Sequence, residues 1–190
     1  MVEMISKILF VNASPRKQNC KDMIDFAIPF VEKNKFIHKT INLSEKNINF
    51  CKHCDFCKSH ESCVIDDDCN NINKELADAD ALIFVTPVYF GSMTGQLKTM
   101  IDRTLPLRRN GFRLKDKIGS VFTVGGSRNG GQELTILDVM AFMHIHGMIV
   151  VGDDNHFGAT GYSPFSKDKF GQETVKSTTE KVCRLLNSSG

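Results

Sequence analysis

Five short apolar runs do most to limit what this chain can fold into, because each is followed by residues that repeat at helical spacing. The runs occupy residues 5–11, 36–43, 81–86, 119–124 and 147–151. Helical faces follow: Cys20, Met23, Ile24, Ala27, Ile28 and Val31; then Ile72 and Leu76; then Leu97, Met100, Ile101 and Leu105; then residues 134–143; and last Val175, Val182, Leu185 and Leu186. Pro29 is expected to kink or shorten the first helix. Asp66, Asp67 and Asp68 are placed to cap the second, since carboxylates favour a helix N-terminus.

Strand and helix in alternation require crossover connections, and right-handed crossovers build a parallel sheet covered on both faces. Five strands predict an α/β fold with a flavodoxin-like doubly wound sheet of order 2-1-3-4-5. With 190 residues, no internal repeat and no linker, residues 1–190 read as a single domain. An apolar content of 41% and a net charge of +2 are ordinary, and give no reason to expect nucleic acid or a membrane surface as partner. No uncharged apolar run nears membrane-spanning length, and the first 13 residues lack the pattern of a secretory leader. Seven cysteines in such a chain predict a cytoplasmic location.

One segment breaks the alternation. Residues 44–68 form a connection longer than compact domains leave unstructured without purpose. Inside it lies CKHCDFCKSHESC, with Cys51, Cys54, Cys57 and Cys63 in CX2CX2CX5C spacing. Two residues between thiols let a short loop wrap the corners of an iron–sulfur cluster, whose irons suit soft thiolates. Structural zinc, with His53 or His60 substituting, and metal-free thiols are the alternatives. Cys69 competes with Cys63 as fourth ligand, while Cys183 reads as a small core residue. Lys52 and Lys58 flank the run as tuning charges or as solvent-facing side chains.

Ligands of doubly wound sheets bind at the carboxyl ends of the strands, and three loops there are unusual. The first, NASPRKQNC (12–20), offers Ser14, Arg16, Asn19 and a helix N-terminus, a setting for one phosphate. It lacks a pyrophosphate turn, which points to FMN over NAD. Cys20 in this loop reads equally as a helix residue, and Arg16 as a surface charge. The second, TPVYFGSMTG (86–95), supplies Pro87, Tyr89, Phe90 and Gly91; core packing is the alternative role for its aromatics, Phe90 above all. The third, GGSRNGGQE (125–133), supplies Gly125, Gly126, Ser127 and Arg128, either around a flat ligand or as a mobile loop.

The SPRK loop, the cysteine run, TPVYFGSMTGQLKTMIDR and GGSRNGGQE together resemble the iron–sulfur flavoprotein family, a branch of the NADPH-dependent FMN reductases. The resemblance covers nearly the whole chain, with Ala13 and Cys20 as departures around the phosphate loop. It implies FMN as cofactor, with Ser14, Arg16 and Asn19 on the phosphate. Pro87, Tyr89, Phe90, Gly91, Gly125, Gly126, Ser127 and Arg128 would then border the ring and ribityl chain. It also implies a [4Fe–4S] cluster on Cys51, Cys54, Cys57 and Cys63, and a homodimer or dimer of dimers in which cluster and flavin meet across subunits.

The function expected is electron transfer from a one-electron donor such as ferredoxin, through the cluster to FMN, and on to dioxygen, peroxide or a quinone-like acceptor. No side chain is required as a general base. The rivals are an NAD(P)H-dependent FMN or quinone reductase with structural cysteines, and a carrier with no substrate of its own.

Overall fold

The computed structural model describes residues 6–188, so expectations placed on residues 1–5 lie outside it. Strands β1 (Lys7–Asn12), β2 (Ile37–Asn42), β3 (Ala81–Pro87) and β4 (Ile118–Gly125) alternate with helices α1 (Asn19–Lys33), α2 (Cys69–Asp78), α3 (Gly95–Asp102) and α4 (Leu105–Arg109). Helix α5 (Gln132–Ile145), strands β5 (Ile149–Val150) and β6 (Ala159–Tyr162) and helix α6 (Lys169–Ser188) complete the chain.

All pairings are parallel and the order is 2-1-3-4-5, as the alternation predicts. The fifth position differs in one respect. Two short strands share it, β5 beside Ile118–Gly119 and β6 beside Phe122–Gly125, so the outer neighbour of β4 is interrupted at residues 151–158.

Strand side chains alternate between two cores. Leu9, Val11, Leu82 and Phe84 pack against α2, α3 and α5; Ile8, Phe10, Ile83 and Val85 pack against α1 and α6. Helix α1 runs through Pro29 to Lys33 without being shortened. The helix expected over Leu97–Leu105 is instead two, with Pro106 at the start of α4. Proline lacks an N–H and is tolerated in a first turn, so it begins a helix where it would have broken one.

Residues 44–68 stand outside both cores except Ile48, which packs against one. They carry only a 3-10 turn ending at Glu45 and another at Phe56–Lys58.

Candidate functional site

The first loop is shaped by its own side chains. Asn12 Oδ1 accepts the Ser14 N–H (3.1 Å), and Ser14 Oγ accepts the Arg16 N–H (3.1 Å). Helix α1 begins at Asn19 with no side-chain cap at Gln18, leaving its first-turn N–H groups available to an anion. Lys17 pairs with Glu45 (3.1 Å), whereas the exposed Arg16 guanidinium has no partner among the described residues. Asn19 is committed elsewhere. Its Nδ2 donates to Ser163 Oγ (3.0 Å) and its Oδ1 accepts the Phe165 N–H (2.9 Å), tying this loop to the segment after β6. Cys20 is buried, and burial pushes its thiol up to about 12, so it is neutral.

The second loop turns sharply at Tyr89–Ser92, where each end residue accepts the other's N–H (2.9 and 3.2 Å). Phe90 and Gly91 between them have φ of 51° and 78°, the backbone of a tight turn that glycine suits and phenylalanine does not. The core-packing reading of Phe90 is overturned: the turn throws the ring fully into solvent. Thr94 then caps α3 and donates its hydroxyl to Ala13 O (3.0 Å), locking the second loop to the first. In the third loop, Gln132 Nε2 donates to Ser127 O (2.6 Å) and Gly161 O (3.1 Å). A Cβ on Gly125 would meet that nitrogen at 2.5 Å, so a larger residue there would push the Gln132 amide out of these bonds.

The three loops enclose a cavity of about 270 Å³. Ser14, Arg16, Asn19, Cys20, Pro87, Tyr89, Gly125 and Gly126 line it, as do Gln18, Val88, Val124 and Ser163, which sequence reasoning did not single out. Phe90, Gly91, Ser127 and Arg128 lie outside that lining. Arg128 instead sits over the Tyr162 ring (5.0 Å) beside a separate cavity of about 520 Å³.

A second site forms where residues 49–67 cross α3 and α4. Cys51, Cys54, Cys57 and Cys63 line one cavity together with Arg103 and Arg109. Cys51 and Cys54 are exposed, Cys57 and Cys63 half-buried, and none is in a disulfide. Cys69 is fully buried under the loop, does not line the cavity, and is pushed up to about 12 by burial.

Arg103, fully buried at the end of α3, holds both ends of the loop. Its guanidinium grips Asp67 with two bonds (2.8 and 2.9 Å) and donates to Asn49 O (2.7 Å). Burial alone would raise the Asp67 carboxyl; the Arg103 bonds and the N–H groups of Asn49 and Cys69 outweigh it and bring it to about 2. Arg103 Nε is left without a partner. Asn70 on α2 accepts the Cys63 N–H (3.0 Å) and donates back to Cys63 O (3.1 Å). His60 stacks on Phe56 at 3.7 Å, and the His53 N–H donates to Cys51 Sγ (3.4 Å). At this second site, Arg103 and Arg109 are residues that sequence reasoning missed.

The family model for NADPH-dependent FMN reductase matches residues 6–160, which carry both sites apart from Ser163. The chain belongs to the NADPH-dependent FMN reductase family. Within it, the chain is 44% identical to an iron–sulfur flavoprotein of Methanosarcina thermophila, over 95% of both chains. It is 38% identical to an iron–sulfur flavoprotein of Methanocaldococcus jannaschii, over 95% of this chain and 97% of that one. Among solved structures, a flavodoxin-fold WrbA-like protein of Agrobacterium tumefaciens superposes with a TM-score of 0.69 at 19% identity, covering 97% of this chain and 99% of that one. This reductase-family member is thus an FMN-dependent oxidoreductase of flavodoxin-like fold.

Proposed function

We propose that the chain is an electron-transfer iron–sulfur flavoprotein, taking electrons from a one-electron donor such as ferredoxin and delivering them to dioxygen, peroxide or a quinone-like acceptor. The observation that carries this reading is the convergence of all four motif cysteines on one cavity. The donor set suits a cluster better than zinc. Four thiolates are soft ligands, and a cubane takes each of them through a different iron. Of the two histidines considered as substitutes for zinc, His60 does not line that cavity, whereas His53 does. Arg103 and Arg109 add positive charge to the lining of a cavity where sulfide and thiolate charge would collect.

The flavin site fits FMN in the same sense. Arg16, Ser14 and the uncapped N-terminus of α1 would hold its phosphate, and Pro87, Tyr89, Gly125 and Gly126 would border the remainder. Bound there, FMN supplies two-electron storage and the cluster supplies one-electron uptake. The chain's own residues fix position and access. Asn12 and Thr94 set the loops, Asn19 ties them to residues 163–165, and Arg103 and Asn70 hold the cysteines in place.

A homodimer, or a dimer of dimers, completes the proposal. Leu134, Leu137, Ala141 and Ile145 form an exposed stripe along α5, next to an apolar cavity of about 580 Å³ that reaches Cys51 and His53. A second copy seated there would cover the stripe, and the family resemblance implies that cluster and flavin meet across such a contact.

Anaerobic purification with iron, sulfide and flavin analysis tests the reading. Four irons, four sulfides and one FMN per chain are expected, and FAD or absent iron would overturn it. The NADPH-dependent alternative is favoured by the family's description alone. Rapid bleaching of the flavin by NADPH without ferredoxin would support that alternative.

A further inference from the structure

We propose that Arg109 sets the reduction potential of the group held by the four cysteines, keeping it above the value that thiolate ligation alone would give. The inference rests on the cluster reading above. Arg109 ends α4, and its Nη1 donates to Cys57 Sγ at 3.2 Å. Its Nη2 is anchored by Asp55 Oδ1 at 3.0 Å. Asp55 also takes Lys58 at 2.8 Å, so one carboxylate is shared between the two cations, and of the two only the guanidinium reaches a motif sulfur. The neighbouring Asn110 donates to the carbonyls of Cys57 (3.4 Å) and His60 (3.0 Å), fixing the backbone of this same ligand. Arg109 is therefore oriented from both sides.

Uptake of one electron makes the cluster and its thiolates more negative by one charge. A cation donating an N–H to a ligand sulfur stabilises that form more than the oxidised one. Lys52 and Lys58, the charges flanking the motif in sequence, make no such contact with sulfur.

The test is a redox titration of the purified holoprotein, followed by the cluster's electron paramagnetic resonance signal, with iron and sulfide quantified in each sample. Arg109→Met is expected to lower the midpoint potential, shifting the reduced-to-oxidised ratio by about tenfold at fixed ambient potential, equivalent to about 59 mV for one electron. Arg109→Lys should fall between, since it keeps the charge and loses the fork. Asp55→Asn removes a nearby negative charge and is expected to shift the potential the other way. A purely structural role for these residues would move both variants alike through loss of loop order. Potentials that are unchanged, or that move in the same direction, overturn the proposal. If Arg109→Met fails to hold a cluster, Arg109→Lys and Asp55→Asn decide it by the same opposition of sign. Absence of iron and sulfide from the unaltered protein would instead overturn the cluster reading itself.

Discussion

Arg16 and Lys17 are adjacent cations with different fates, one lining the cavity between the three loops without a partner among the described residues and one held by Glu45. Arg16→Ala is therefore expected to weaken FMN binding by about 1.5–3 kcal/mol, the range of hydrogen bonds to charged groups, and Lys17→Ala to change it little. Fluorescence titration of the deflavinated protein measures both, and equal losses would show that only net charge matters. The buried Arg103–Asp67 pair makes a prediction about acid. Asp67 has a folded pKa of about 2 against an ordinary 3.8, so its contribution is fully present above about pH 4 and is lost as pH falls toward 2. A depression of that size corresponds to about 2 kcal/mol. Urea unfolding at pH 5 and pH 2 should therefore show the wild type losing about 2 kcal/mol more than Asp67→Asn. At neutral pH, Asp67→Asn should cost about 3–5 kcal/mol, because a buried arginine loses its counter-charge.

Among the elements, the Tyr89–Ser92 turn carries a local conflict. Phe90 occupies a left-handed position that asparagine or glycine would adopt with less strain, and its exposed ring makes no compensating contact within the chain's cores. Phe90→Asn is expected to raise stability by about 1 kcal/mol, read as a higher Tm, while weakening whatever the ring covers when flavin or a second subunit is bound. The cysteine connection is a separate element. Since its ligands lie outside both cores, Cys51→Ala, Cys54→Ala and Cys57→Ala should each abolish iron binding and leave a folded, FMN-binding domain by circular dichroism and flavin content. Global unfolding would show that the loop supports the sheet. The strand order was legible in the sequence because apolar runs and helical spacing are local signals. So was the meeting of the three unusual loops at one sheet edge, and of the four cysteines at one cavity, since their spacing is fixed along the chain. The arginines were not, because Arg103 meets Asp67 across 36 residues and Arg109 meets Cys57 across 52, and nothing local marks such pairs. The break between α3 and α4 was signalled by Pro106, which an apolar count passes over.

For the whole molecule, the decisive prediction concerns assembly. A variant lacking the cluster, Cys54→Ala, and one unable to hold FMN are mixed after dissociation and reassociation. Ferredoxin-dependent activity should partly return if electrons cross between subunits, and confirmed mixed dimers without recovery would place transfer within one chain. Replacing Leu137 and Ile145 on the α5 stripe by lysine should yield monomers by sedimentation, with FMN still bound. Helix α3 bears on the same question. Thr94 fastens its start to the first loop and Arg103 fastens its end to the cysteine loop, and the eight residues of α3 between them rise about 12 Å. Electron tunnelling falls steeply with the gap it must cross. If cluster and flavin occupy these two sites as proposed, this stiff rod would fix the separation of the two redox centres within one chain, and the mixed-variant test reads whether electrons take that span or a shorter one between subunits.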